Sequence, residues 1–131
     1  MNLAEWAKHY IKFKDCMKRQ ITSIEELDGK LLVHEKKEDK LYCIAEELKN
    51  SLLEEKKCEG RKFLVTLNTP ANVKFLADNW QLVQNDEITI IFANIKTNES
   101  WTIHPKTHSK IIEDKTIKQG LMSLHESITS C

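Results

Sequence analysis

Apolar residues in the first part of the chain recur at three- and four-residue steps: Leu3, Trp6, Ala7, Tyr10, Met17, Ile21 and Ile24. Side chains at that spacing share one side of an α-helix. The pattern predicts an N-terminal helix over 2–27, with Asn2 and Glu5 as a capping pair and Asp28-Gly29 as the closing turn. Ser23-x-x-Glu26 is a second start signal within it, so a break near Ser23 fits the pattern too.

Further on, Leu31, Leu32 and Val33 centre a strand over 30–35. Leu41, Ile44, Ala45, Leu48 and Leu52 then form a helical stripe with Glu and Lys on the other faces. A hairpin strand over 40–45, returning through 36–39, is the alternative; the helix is favoured because the stripe runs on to Leu52. Phe63–Leu67 reads as a buried strand. Thr69-Pro70 opens a helix, since Thr can cap and Pro at the first position loses an amide that had no partner. Val73, Leu76, Ala77, Trp80 and Val83 give that helix its apolar face, and a strand over 87–93 follows. Trp101–Ile103 is a short strand, and Ile117, Leu121, Leu124 and Ile128 mark a last helix that tolerates Gly120.

Strands alternating with helices predict right-handed crossovers and a parallel sheet with helices on its faces. The expected fold is therefore α/β: a small three-layer, Rossmann-like, mostly parallel sheet of three to four strands with an extra N-terminal helix. It becomes α+β if residues 40–45 form the hairpin strand. The strand at 101–103 follows its predecessor too closely for a parallel crossover and should return antiparallel.

Composition adjusts this picture little. The 131 residues suit a single domain over 1–131, with strand–helix alternation over 30–129, and 40% apolar with 31% charged residues is globular rather than disordered. Apolar runs such as Leu41–Ala45 fall far short of the roughly 20 residues of a membrane span. The first residues carry no basic stretch followed by an apolar one, so a cytoplasmic location without membrane association is expected.

Charge sums to zero but is uneven. Lys8, Lys12, Lys14, Lys18 and Arg19 face only Glu5 and Asp15 within residues 1–20, whereas residues 35–59 hold eight acids against six lysines. Such runs are ordinarily solvated helix faces. Interleaved with Trp6, His9, Tyr10 and Phe13, however, the first set also has the composition that suits single-stranded nucleic acid.

Candidate chemistry is sparse. Cys16, Cys43, Cys58 and Cys131 contain no C-x-x-C pair, which argues against a zinc ribbon or redox motif. Gly29, Gly60 and Gly120 form no phosphate loop, so no nucleotide cofactor is expected. Ser51, Ser100, Ser109 and Ser123 lack a nucleophile-elbow context. His104 and His108 lie four apart, but Pro105 biases His104 away from helical geometry, so no metal is expected there. Together with Lys106 and Lys110 they form a basic loop instead.

In a parallel sheet, ligands bind at the carboxyl ends of the strands, which here are His34, Glu35, Asn68, Thr69 and Asn94. Asn and Thr at such places also serve as turn and cap residues. The basic-surface candidates are Lys8, Lys12, Lys18, Arg19, His104, Lys106, His108 and Lys110. The reading that follows is a non-catalytic binding or regulatory module, without metal or cofactor, whose partner is another copy or another protein. One alternative is a small enzyme or ligand-binding domain, with His34 or Glu35 as acid/base and Asn68 and Asn94 orienting the ligand. Nucleic-acid binding through 8–19 and 106–110 is a second.

Overall fold

A computed structural model describes residues 2–27, 29–49, 61–83, 88–105 and 114–129. In chain order its elements are α1 (Leu3–Asp15), β1 (Ile21–Leu27), β2 (Lys30–Glu35), β3 (Asp39–Ile44), β4 (Arg61–Leu67), α2 (Pro70–Asp78), the short α3 (Trp80–Val83), β5 (Ile88–Asn94), β6 (Glu99–Ile103) and α4 (Asp114–Glu126). The strands make one sheet in sequential order, β1 to β6. β3, β4 and β5 run parallel; β1–β2, β2–β3 and β5–β6 are antiparallel.

The expected three- to four-stranded, mostly parallel, Rossmann-like sheet is thereby overturned, and two segments account for the difference. The first is the N-terminal helix, which stops at Asp15 rather than near 27. Its start matches the sequence pattern: Asn2 Oδ1 accepts the Glu5 amide at 2.8 Å, and Leu3, Trp6, Ala7 and Ile11 are buried along one face. Past Asp15 the chain turns through Arg19, whose φ of 50° is left-handed. The Asp15 carboxylate then accepts the amides of Gln20 at 2.9 Å and Ile21 at 3.1 Å, which fixes the entry into β1. Ile21-Thr22 and Ile24 are β-branched and suit a pleated strand better than a helix. Met17, placed by periodicity on the apolar stripe, is 89% exposed.

The second segment is 39–44, where β3 stands in place of the favoured helix. It closes a hairpin with β2, pairing His34 with Asp39 and Lys30 with Cys43. Its inner edge lies parallel to β4, so β3 is buried on both faces: Cys43 packs on one side and Tyr42 on the other. Leu52, the end of the supposed stripe, lies outside the described residues. The β1–β2 hairpin is closed by two residues between Leu27 and Lys30, and Gly29 has φ 67°, the left-handed conformation such a turn demands.

Helices cover both faces of the sheet. Among the described residues, α1 is the helix on one, over Leu31, Val33, Tyr42, Val65, Ile91 and Ala93. α2, α3 and α4 lie on the other, where Leu64, Ile90, Phe92, Trp101 and Ile103 meet Val73, Leu76, Trp80, Ile117 and Leu121. There Phe92 and Trp101 stack with centroids 4.2 Å apart. Among the described residues, no helix is long and apolar enough to cross a membrane.

Phe92 has no exposed surface, so Phe92→Ala is expected to lower unfolding free energy by about 3–5 kcal/mol. Phe13, 76% exposed, should change it by no more than about 0.5 kcal/mol in Phe13→Ala. Urea denaturation of the two variants checks both values.

Candidate functional site

The directions of the strands decide which candidate side chains can meet. β4 and β5 bring Asn68, Thr69 and Asn94 to their carboxyl ends, but β2 runs the opposite way and delivers His34 and Glu35 to the other edge. β4 alone is seven residues long, which separates the edges by about 20 Å. An acid/base at His34 or Glu35 acting on a ligand oriented by Asn68 and Asn94 is therefore not a geometry this fold provides.

At the carboxyl edge the polar groups are consumed internally. Asn68 is fully buried; its Oδ1 accepts from Trp101 Nε1 and from His125 Nδ1, both at 2.8 Å. Because the indole can only donate, the amide orientation is fixed, and His125 must carry its proton on Nδ1. Asn68 Nδ2 donates to the carbonyls of His125 at 3.1 Å and Thr129 at 3.4 Å. Asn94 Nδ2 donates to Thr129 O at 2.9 Å, and its Oδ1 accepts the Lys96 and Thr97 amides. Thr69 caps α2 by accepting the Asn72 amide at 3.2 Å. Among the described residues, this edge docks the end of α4, and the side chains of Asn68, Thr69 and Asn94 are engaged within the fold.

Two of these buried groups escaped sequence reasoning. Asn72 donates to the carbonyls of Glu46 and Leu67 and accepts the Leu48 amide, tying 46–48 to α2. His125 closes the Asn68 network. Both stand four residues from a buried Leu, Leu76 and Leu121 respectively, so each is a polar residue on an apolar helical stripe. That signal was available.

At the opposite edge, His34 and Glu35 point to different faces. His34 holds two carboxylates, Asp39 on Nδ1 and Glu25 on Nε2, each at 3.1 Å. Its pKa is raised, first by the Asp39 hydrogen bond and then by Glu25. Glu35, on the α1 side, pairs with Lys40 at 2.9 Å.

The basic candidates divide between the flanks of α1. Lys8, Lys12 and Arg19 lie above β1, with Lys8 paired to Glu26. Lys18 and His104 face the other flank. Lys106, His108 and Lys110 lie outside the described residues. His104 sits at the end of antiparallel β6, where its Nδ1 is 3.0 Å from Thr89 Oγ1, at the edge away from Asn94.

This second flank contains a cleft of about 360 Å³ between the C-terminal half of α1 and the sheet. Tyr42 and Phe63 form its aromatic floor, stacked with centroids 4.4 Å apart, and Lys40 Nζ lies 5.9 Å from the Phe63 centroid. Lys14, Lys18 and His104 stand at its margin with the hydroxyls of Thr89 and Thr102. Burial, and then the Glu35 charge, push the Tyr42 pKa up, so the phenol stays protonated. Two carboxylates line the cleft, and both are engaged: Glu35 by Lys40, Asp15 by backbone amides. Lys14 rests 5.3 Å from the Tyr10 ring, and among the described residues neither Lys14 nor Lys18 has an acidic partner. The cleft thus sets the half-buried Phe63 ring beside two lysines that have no acidic partner among the described residues. Among the described residues, no group of three or more His, Cys, Asp or Glu side chains is placed to hold a metal ion. No protein-family model, curated protein or solved structure matches the chain.

Two measurements follow from this geometry. Asn68→Ala strands the Trp101 and His125 donors, and should cost about 1–3 kcal/mol in urea unfolding with faster amide exchange over 125–129. His34, with its raised folded pKa, contributes stability that is complete below the ordinary value of 6.5 and fades as pH rises through the folded value. Wild type should therefore lose stability over that interval relative to His34→Gln, as followed by unfolding midpoints across a pH series.

Proposed function

We propose that this protein is a non-catalytic binding module whose ligand is an anion carried on a flat ring, held in the cleft between α1 and the amino ends of β3–β5. One observation carries the reading. Glu35 is paired with Lys40 and the Asp15 carboxylate is held by the Gln20 and Ile21 amides, whereas Lys14 and Lys18 stand beside the Tyr42–Phe63 floor, so the lining carries three lysines against two carboxylates. A cation next to a ring face attracts an anion and favours a flat group over a compact one. The cleft volume of about 360 Å³ falls within the range of small-molecule sites.

A binding role also fits what the cleft is made of. Lys40 and Glu35 are paired to each other, and Tyr42 stays a protonated donor, so these groups orient a ligand rather than transfer protons.

The test uses 1-pyrenesulfonate as a flat anionic probe, with 1-pyrenemethanol and inorganic phosphate as partial mimics. Amide shifts should concentrate in residues 10–21 and at the ends of β5 and β6 nearest Thr89 and His104. Lys14→Glu/Lys18→Glu should weaken pyrenesulfonate at least about tenfold without lowering the melting temperature. Unchanged affinity in that variant, or shifts confined to the carboxyl edge, would overturn the proposal.

A further inference from the structure

The cleft continues beyond Tyr10. A second cavity of about 470 Å³, lined by Trp6, His9, Tyr10, Phe13, Lys14, Asn98 and Ser100, shares Tyr10 and Lys14 with the first. The two form one groove along a single flank of α1, bounded on the sheet side by residues of β5 and β6. From Trp6 to Asp15 it follows about 14 Å of helix. Trp6 Nε1 donates to Asn98 Oδ1 at 2.9 Å, which joins the helix to the β5–β6 turn and closes one end.

Three features of this groove point to one class of ligand. Its helix wall carries Tyr10, whose ring stacks on Trp6, then Phe13 and Lys14, and Lys18 follows just past the end of α1. Phe13 stays 76% exposed, an uncovered ring face at the rim. Asp15 and Glu35 are the carboxylates that line it among the described residues, and both are occupied. A linear polyanion bearing flat groups at intervals complements that sequence of rings and charges, because phosphates meet the lysines while bases stack on the rings.

We propose that the groove binds a short single-stranded segment of nucleic acid, with a base against the exposed Phe13 ring and phosphates at Lys14 and Lys18. This rests on the anionic-ring reading above and assigns the ligand class of that same site. A duplex fits less well, since its base faces are stacked inside and a cleft between one helix and one sheet cannot reach them. The contacts involve base and phosphate alone, so strands of either sugar are bound alike.

The experiment is fluorescence anisotropy of end-labelled eight-residue oligo-dT and oligo-U and of a 16-base-pair duplex, over a salt series. Both single strands should bind more tightly than the duplex, and binding should weaken with salt with a logarithmic slope near about −1.4, two phosphates at about 0.7 each. Phe13→Ala should weaken binding by about fivefold or more, with the salt slope retained. Lys14→Ala/Lys18→Ala should abolish most of the slope, whereas Lys8→Ala/Lys12→Ala on the opposite flank should leave affinity within about twofold. Equal or tighter duplex binding, or an equal loss in the Lys8/Lys12 variant, would overturn the assignment. Oligonucleotides that fail to bind while pyrenesulfonate still occupies the cleft would overturn this inference and leave the binding-module reading standing. Failure of both ligands would overturn both.

Discussion

The buried amide of Asn68 is the group on which the arrangement of this molecule most depends. It stands where β4 leaves the sheet, and four hydrogen bonds radiate from it to Trp101 on β6, to His125 on α4 and to the carbonyls of His125 and Thr129. Every donor and acceptor of the side chain is used, so its complete burial leaves no amide group without a partner. The bonds fix the end of α4 against the carboxyl edge, and Asn94 secures Thr129 from the adjacent strand. An edge that in a parallel α/β sheet would receive a ligand is here occupied by the chain's own C-terminal helix.

The cleft proposed as the binding site lies instead at the opposite edge, on the face carrying α1. That face gathers the C-terminal end of α1, the starts of β3, β4 and β5 and the end of β6. The reversal of β2 and β6 brings Glu35 and His104 to the same edge. Antiparallel strands at either side of a parallel centre thus concentrate charged and titratable side chains where a purely parallel sheet would have placed only strand beginnings.

The parts of this fold legible in the sequence are those with a single physical interpretation. Phe63–Leu67 is too short and too β-branched to be a buried helix, Thr69-Pro70 can only open one, and the short connection before Trp101 forces an antiparallel return; all three are present. The segments that misled share one cause, which is that strand geometry imitated a helical period. Ile21 and Ile24 lie three apart and yet both pack towards α1, because the register shifts between Ile21 and Ser23 and the irregularity absorbs one residue. Leu41 and Ile44 are also three apart but point to opposite faces of β3, and both find apolar neighbours because the sheet is covered on each side. Spacing cannot distinguish these cases from a helix. The candidate site was harder still: its residues come from α1 and from all six strands or their ends, and no local pattern announces that Lys18 and His104 share a cleft.

Why that cleft exists follows from dimensions. An α-helix with its side chains is about 10 Å wide, whereas six strands at about 4.8 Å span well over 20 Å. Among the described residues, α1 is the helix on this face, and its width is less than that of the sheet beneath it. The sequence answers this in its choice of residues: beneath α1 the sheet presents Val33, Val65 and Ile91, all essentially buried, while the uncovered flank carries Thr89, Ser100 and Thr102. Their hydroxyls tolerate water when the groove is empty and can hydrogen-bond a ligand when it is filled, which a continued run of Val and Ile could not do. The neighbouring rings of Phe63 and Tyr10 retain apolar surface at the same place, and Phe13 is still more exposed at the rim. The combination of these rings and hydroxyls beside Lys14 and Lys18 is the physical basis for reading the flank as a binding surface.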